Sequence, residues 1–272
     1  MASETKLAVE EKNDSTTVES EIQTVEVMGT PFSCCSMDDI LVRMGMNIVS
    51  FGKPQTISIT NTESGYYALK IPEHLNYIRK STFSCCDGVG VVLVGRLRGV
   101  SIPRLYGPEL MLRACEYGVS RGWRHYFYGG REGVPELLIQ KLVKRFPGLT
   151  IAGSYSPPFR PMIPEEDANV VDMIRTARPD IVWVGLGLLK QEEWIARHLH
   201  RVAAPWMIGV GAAFDFHAGT ARRPPKWVST IGFEWLYRLV REPRMFKRNI
   251  RSVLFLWMGV KEAFGYRLKM RL

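Results

Sequence analysis

Apolar residues return along this chain in two rhythms. Short continuous runs of four to seven residues alternate with longer stretches in which they recur every three or four positions. The first rhythm predicts strands over Asn47–Phe51, Thr56–Thr60, Gly88–Val94, Tyr126–Tyr128, Leu149–Tyr155, Ile181–Gly185 and Trp206–Gly211. The second predicts helix over Ser64–Arg79, with a break or restart at Pro72, and over Pro135–Phe146 and Gln191–Arg201. A further helix opens at Pro164-Glu165-Glu166, where proline suits the first position and acids suit the positive end of the helix dipole. Ile181–Gly185 has no polar face, as a parallel strand covered on both sides requires. Strands alternating with helices predict an α/β protein built on a mostly parallel sheet.

Both ends depart from this pattern. Residues 1–27 hold seven acids against two lysines and no aromatic residue, and read as a disordered acidic tail. The tail carries a net −5 while the whole chain carries +9, so the remainder carries +14. Much of that excess lies in 232–272, where from Arg238 onward ten basic residues face only Glu242 and Glu262. Trp235, Leu236, Phe246, Ile250, Leu254, Phe255 and Trp257 interleave with them. Basic residues alternating with large apolar ones predict an amphipathic appendage suited to an anionic membrane surface. The same pattern also fits a helix packed on the core of 28–231. The basic run is too apolar for an exposed nucleic-acid face and has no RNA-binding signature, which weighs against a nucleic-acid partner.

The most apolar segments, Ile181–Leu189 and Val253–Val260, fall well short of the roughly 20 residues of a spanning helix. No apolar run follows the first basic residue, so no signal peptide is read. Five cysteines without a C-x-x-C pair predict reduced thiols in a cytoplasmic protein.

Four segments could carry chemistry. Cys85-Cys86-Asp87-Gly88-Val89-Gly90 places an acid before a glycine turn, where α/β proteins bind ligands. A transferase needs such a carboxylate as general base, but an Asp that merely caps a turn gives the same pattern. Tyr128-Gly129-Gly130-Arg131-Glu132-Gly133 would let backbone amides approach a phosphate at a helix start, and equally suits an ordinary strand-to-helix turn. Gly185-Leu186-Gly187-Leu188-Leu189-Lys190-Gln191-Glu192 offers Lys190 to phosphate and the Gln191 amide to sugar or base, or else caps its own helix. Gly209 to Gly219, with Gly211, Asp215 and His217, combines close backbone approach with the following Arg222-Arg223. No D-x-D pair or His/Cys/Asp cluster of the kind that holds a metal is present, so no metal site and no cofactor are expected. The glycine turns would also serve a nicotinamide-dependent oxidoreductase.

These segments, together with Gly232-Phe233-Glu234-Trp235-Leu236-Tyr237-Arg238-Leu239 and Glu242-Pro243-Arg244, stand in the order and near the spacing of the WecG/TagA/CpsF glycosyltransferases, which the chain resembles from about Thr56 to Arg251. The resemblance implies a Rossmann-like core with a C-terminal appendage. It implies metal-independent, inverting transfer from a UDP-sugar to a polyprenyl-diphosphate-linked sugar in bacterial surface polysaccharide or exopolysaccharide assembly, at the inner face of the cell membrane. On this likeness Asp87 is the base and Gln191 an active-site residue. Thr60, Asn61, Gly129, Gly130, Gly185, Gly187, Lys190, Glu192, Gly211 and Asp215 hold the nucleotide-sugar, and Arg238, Arg244 and Arg248 meet the acceptor diphosphate. A loose likeness to exopolysaccharide β-glucosyltransferase members leans the donor towards UDP-glucose, with N-acetylmannosamine or its uronic acid as the alternative. Leu189 in place of a common Pro, Glu109 in place of a common Asp, and a one-place shift of the Thr at Thr60 depart from the family pattern.

Overall fold

The structure, a computed structural model, describes residues 22–221 and 246–269. Its centre is a six-stranded sheet in the order β4-β3-β8-β7-β5-β6. The strands are β3 (Gln55–Thr60), β4 (Phe83–Cys86), β5 (Arg124–Gly129), β6 (Thr150–Tyr155), β7 (Ile181–Gly185) and β8 (Trp206–Gly209). All adjacent pairs are parallel. Helices cover both faces, giving the Rossmann-like α/β architecture that the alternating pattern and the resemblance imply.

Side-chain alternation along the strands divides the core. Ile181, Trp183, Trp206 and Ile208 face one layer, with α1 (Met37–Val49), α5 (Gly107–Val119), α6 (Val134–Arg145) and α9 (Ala213–Ala218). Val182, Val184 and Met207 face the other, with α3 (Pro72–Lys80), α7 (Pro164–Ala177) and α8 (Lys190–Val202). Each large apolar side chain fully removed from water contributes roughly 1.5–3 kcal/mol, so continuous apolar strands are stable only in this two-sided burial. A third cluster joins the hairpin β1–β2 (Thr24–Val27 and Thr30–Ser33), α4 (Val89–Leu97) and the C-terminal helix α10 (Phe246–Lys269). The helix α2 (Thr62–Ala68) lies beside them.

Three expectations need correction. The strand expected at Asn47–Phe51 is the end of α1. Ser36 and Asp39 form a reciprocal capping box at its start, and Ile40, Leu41 and Met44 bury one helical face, which overrides the local β preference of Ile48-Val49. The strand expected at Gly88–Val94 is α4, with Val91 and Val94 buried one turn apart. The strand itself lies upstream at Phe83–Cys86, where it pairs with β3. The acidic tail does not extend to residue 27: Thr24–Val27 pairs with Thr30–Ser33, and Val27 is fully buried. Met28 and Gly29 both take positive φ, the requirement of a tight two-residue hairpin turn. Residues 1–21, Arg222, Arg223, Arg238, Arg244 and the 231/232 boundary lie outside the described residues.

The sheet order creates a switch point. From β5 the chain passes through α6 outward to β6, whereas from the neighbouring β7 it passes through α8 inward to β8. Helices therefore leave in opposite directions, and the switch point lies between the C-terminal ends of β5 and β7, where doubly wound proteins have their ligand crevice.

Candidate active site

Two glycine loops form the walls of this crevice and touch at its floor. The Gly130 N–H donates to the Gly185 carbonyl at 3.0 Å. Gly129 has φ 117°. A Cβ there would stand 2.7 Å from the Gly185 backbone, so glycine is required on both grounds. The helices that leave the crevice both start without a side-chain cap: α6 at Gly133 and α8 at Leu189, both with positive φ. Some first-turn amides are already bonded, Val134 N–H to the Arg131 carbonyl at 2.9 Å and Gln191 N–H to the Gly187 carbonyl at 3.0 Å, and the positive ends of both helix dipoles face the strand ends, which favours an anion there. Lys190 is exposed at the first turn of α8.

Gln191 and Glu192 turn inward instead. The Gly211 N–H donates to Gln191 Oε1 at 2.9 Å, and Gln191 Nε2 donates to Glu192 Oε1 at 2.9 Å. Both ends of the Gln191 amide are engaged, and the side chain braces the β8–α9 turn against α8. Burial pushes the Glu192 carboxyl up to about 7, with the Gln191 hydrogen bond opposing. Glu192 Oε2 is buried with no hydrogen-bond partner among the described residues. A carboxyl raised from 4.5 in this way stabilises the fold most below its ordinary pKa, and loses that contribution as pH rises through about 7. Glu192→Gln, which cannot ionise, should therefore gain stability relative to the native chain between pH 5 and pH 8, by up to about 3 kcal/mol. Denaturant melts of both proteins at the two pH values check this. A pH-independent difference would show that the carboxyl is ionised throughout.

At the other end of the sheet, β3 and β4 deliver Thr60, Asn61 and Asp87. Thr60 is fully buried, its hydroxyl 3.0 Å from that of Ser58. Asn61 caps α2, its Oδ1 accepting from the Ser64 N–H at 2.9 Å. The Ser64 hydroxyl meets His74 Nε2 at 2.8 Å, and this buried bond ties the start of α2 to α3. Asp87 is half-buried directly after β4, its N–H bonded to the Thr60 carbonyl at 3.0 Å. On α9, Asp215 accepts from Thr220 Oγ1 at 2.8 Å and stands 3.8 Å from the Arg131 guanidinium across the crevice loops. His217 bonds the Pro108 carbonyl at 3.0 Å, a structural contact.

The helix α10 packs over the Asp87 end. Phe255 lies so close to α2 that a Cβ on Gly65 would come within 2.6 Å of its ring, and Leu256 stands equally close over Gly90 of α4. Arg251 Nη1 reaches the buried Glu63 carboxylate at 3.2 Å. Arg251 therefore turns towards the protein rather than outward. Arg248 belongs to the first turns of α10, but its side chain, like Arg238 and Arg244, is outside what is described.

All the described candidate residues except Arg248 thus sit at the carboxyl ends of the strands or on the helix starts that follow them. Sequence reasoning missed the Ser64–His74 bond, the Glu63–Arg251 pair and the Arg131–Asp215 approach. The ion pair joins residues 188 positions apart, and nothing local announces it.

A doubly wound parallel sheet with glycine loops at its switch point and two helix starts without side-chain caps is the architecture in which α/β proteins place a ligand site at the strand ends. The family model of the glycosyl transferase WecG/TagA/CpsF family matches residues 25–269, and the chain belongs to that family. Its similar proteins include the N-acetylglucosaminyldiphosphoundecaprenol N-acetyl-beta-D-mannosaminyltransferase of Bacillus subtilis (strain 168), 27% identical over 89% of this chain and 93% of that protein. The protein of the same name from Staphylococcus aureus (strain NCTC 8325) is 30% identical over 87% and 92%. That from Bacillus spizizenii is 30% identical over 71% and 74%. Family membership sets aside the oxidoreductase and nucleic-acid readings. Among the described residues no helix is long and apolar enough to cross a membrane.

Proposed function

We propose that the chain transfers an N-acetylmannosaminyl residue from a UDP-sugar to a sugar carried on undecaprenyl diphosphate, while bound peripherally to the cytoplasmic face of the membrane. The lean towards glucose is withdrawn, because the relatives described above are mannosaminyltransferases by name. The observation that carries the reading is the crevice between β5 and β7 with its two uncapped helix starts, in a chain of this family.

The donor diphosphate lies across those amides, with Lys190 beside it. The transferred sugar extends along the strand ends towards Asp87. Its carboxylate takes the proton of the acceptor hydroxyl as that oxygen bonds to the anomeric carbon. The bond from that carbon to the diphosphate oxygen breaks on the opposite face, so configuration inverts and UDP leaves. Amides fixed before the reaction stabilise the charge that grows on the leaving diphosphate without reorganising. The appendage places the acceptor diphosphate near Arg238, Arg244 and Arg248.

A donor comparison tests this. With a short-chain lipid-diphosphate N-acetylglucosamine as acceptor, UDP-N-acetylmannosamine should give a kcat/KM at least about 100-fold above that of UDP-glucose, the scale set by leaving buried polar groups unpaired. Equal or better use of UDP-glucose would overturn the assignment of the sugar. No product from either would overturn the acceptor class.

A further inference from the structure

The helix α1 is apolar on both sides. Ile40, Leu41, Met44 and Asn47 form its buried face. On the opposite side Val42, Met46 and Val49 are 43%, 54% and 77% exposed, and Phe51, just past the helix end, is 92% exposed. Single apolar residues scattered over a surface need no account, but four in one stripe mark a contact surface.

The backbone at the end of the stripe points the same way. Phe51 has φ 49°, in the left-handed region that glycine takes freely and that costs a bulky residue free energy. The turn is held in place: the Gly52 N–H donates to the Asn47 carbonyl at 3.0 Å, and Asn47 Nδ2 donates to the Lys53 carbonyl at 3.2 Å. A helix end of this shape favours glycine. An aromatic ring stands there instead, strained and in water, so what it contributes lies outside the fold of its own chain.

The spacing identifies the partner. Asp39, Val42, Met46, Val49 and Lys53 recur three, four, three and four positions apart, the seam of a two-helix coiled coil, while the buried residues take the remaining side. In a parallel pair with this seam, position 38 of one helix faces position 43 of the other. Those positions hold Asp38 and Arg43, opposite charges that one sequence supplies to both helices. Asp38 is exposed, and Arg113 of α5 holds one oxygen of its carboxylate at 2.9 Å. With Asp38 and Asp39 set against Arg43 and Lys53 the face carries no net charge, so an anionic lipid surface gains nothing from it electrostatically.

We propose that the exposed face of α1 is a self-association surface, which pairs with the same face of a second copy of this chain in a parallel, two-fold arrangement. The symmetry makes each Asp38–Arg43 contact occur twice and brings both Phe51 rings to the same end of the seam. Parallel pairing also keeps the carboxyl ends of both sheets, with Asp87, facing one way. The seam is short, so the association is weak, in the micromolar range.

Sedimentation of the full chain from roughly 1 to 100 µM should show a reversible monomer–dimer equilibrium. Met46→Lys combined with Phe51→Gly should weaken it at least about 100-fold, the effect of withdrawing two large side chains from each copy. At dilution, where the native chain is monomeric, Phe51→Gly alone should be as stable as the native chain or more so, because glycine relieves the left-handed turn. Asp38→Arg and Arg43→Asp should each weaken the dimer about tenfold, and the two together should restore it. A native chain that stays monomeric throughout would overturn the inference, as would a dimer indifferent to Met46→Lys with Phe51→Gly. Failure of the paired charge reversal to restore association would overturn the parallel arrangement. Loss of vesicle binding by Met46→Lys with Phe51→Gly, in a chain that does not dimerise, would assign the stripe to lipid instead.

Discussion

Asp87→Asn should lower the rate of sugar transfer by about 10²–10⁴ while UDP affinity and melting temperature stay at native values. The carboxamide has the size of the carboxylate. It leaves the bond from the residue 87 N–H to the Thr60 carbonyl in place and so keeps the junction of β4 with β3. What it removes is the ability to accept a proton from the attacking hydroxyl. The substitution removes a charge and a proton acceptor without changing the size of the side chain, so the variant should bind the nucleotide as the native chain does. Single-turnover transfer to a lipid-diphosphate acceptor, with calorimetric UDP binding on the same preparation, reads both parts. Near-native transfer would move the base to Asp215. That carboxylate bonds Thr220 Oγ1 and faces Arg131, surroundings that suit a group holding the ligand or the loops better than one taking up a proton.

The fold was legible in the sequence wherever the pattern was continuous and one-sided. Ile181–Gly185 is a strand because five apolar residues must be covered on both faces, and the helices at Pro164 and Lys190 start within a residue of their expected place. Reading failed where burial of one face overrides local preference. Ile48-Val49 looks like a strand but closes a helix whose register is set thirteen residues earlier by Ser36. Val89–Val94 looks like a strand but is helical, and Gly90 lies under Leu256 of a helix more than 150 residues away. The candidate site was legible as a set of glycine turns and polar residues, because each lies at the carboxyl end of a strand. Its internal economy was not. Gln191 read as a ligand for sugar, yet its amide closes on Gly211 and Glu192, and only the packing of α8 against β8 decides that.

The appendage helix separates two roles that the sequence pattern mixes, and its outward face carries the second large prediction. Phe255, Gly259 and Ala263 recur every four residues and are buried against α2, α4 and the hairpin. Ile250, Val253, Leu254, Trp257 and Phe264 occupy the other side, and Trp257 and Phe264 are about 60% exposed (62% and 57%). Lys261 sits over the Trp257 ring at 5.4 Å. An apolar stripe edged by a cation, on a helix already docked through its opposite face, is the geometry of a segment lying in a lipid interface. Trp257→Gln combined with Phe264→Gln leaves the docked face intact, so the melting temperature should hold. Two large side chains no longer enter the interface, a loss of roughly 3 kcal/mol, which corresponds to about a 100-fold fall in partitioning onto anionic vesicles. Transfer to an acceptor embedded in those vesicles should fall with it, while transfer to a short-chain, water-soluble acceptor should not. Phe255→Ala should do the reverse. It removes the ring packed on Gly65 and should cost about 3–5 kcal/mol of stability. Vesicle flotation at low and high salt, beside the two transfer assays, separates the faces. If the double variant floats as well as the native chain, the outward stripe is not what holds the enzyme to the membrane, and that role passes to the basic residues before α10.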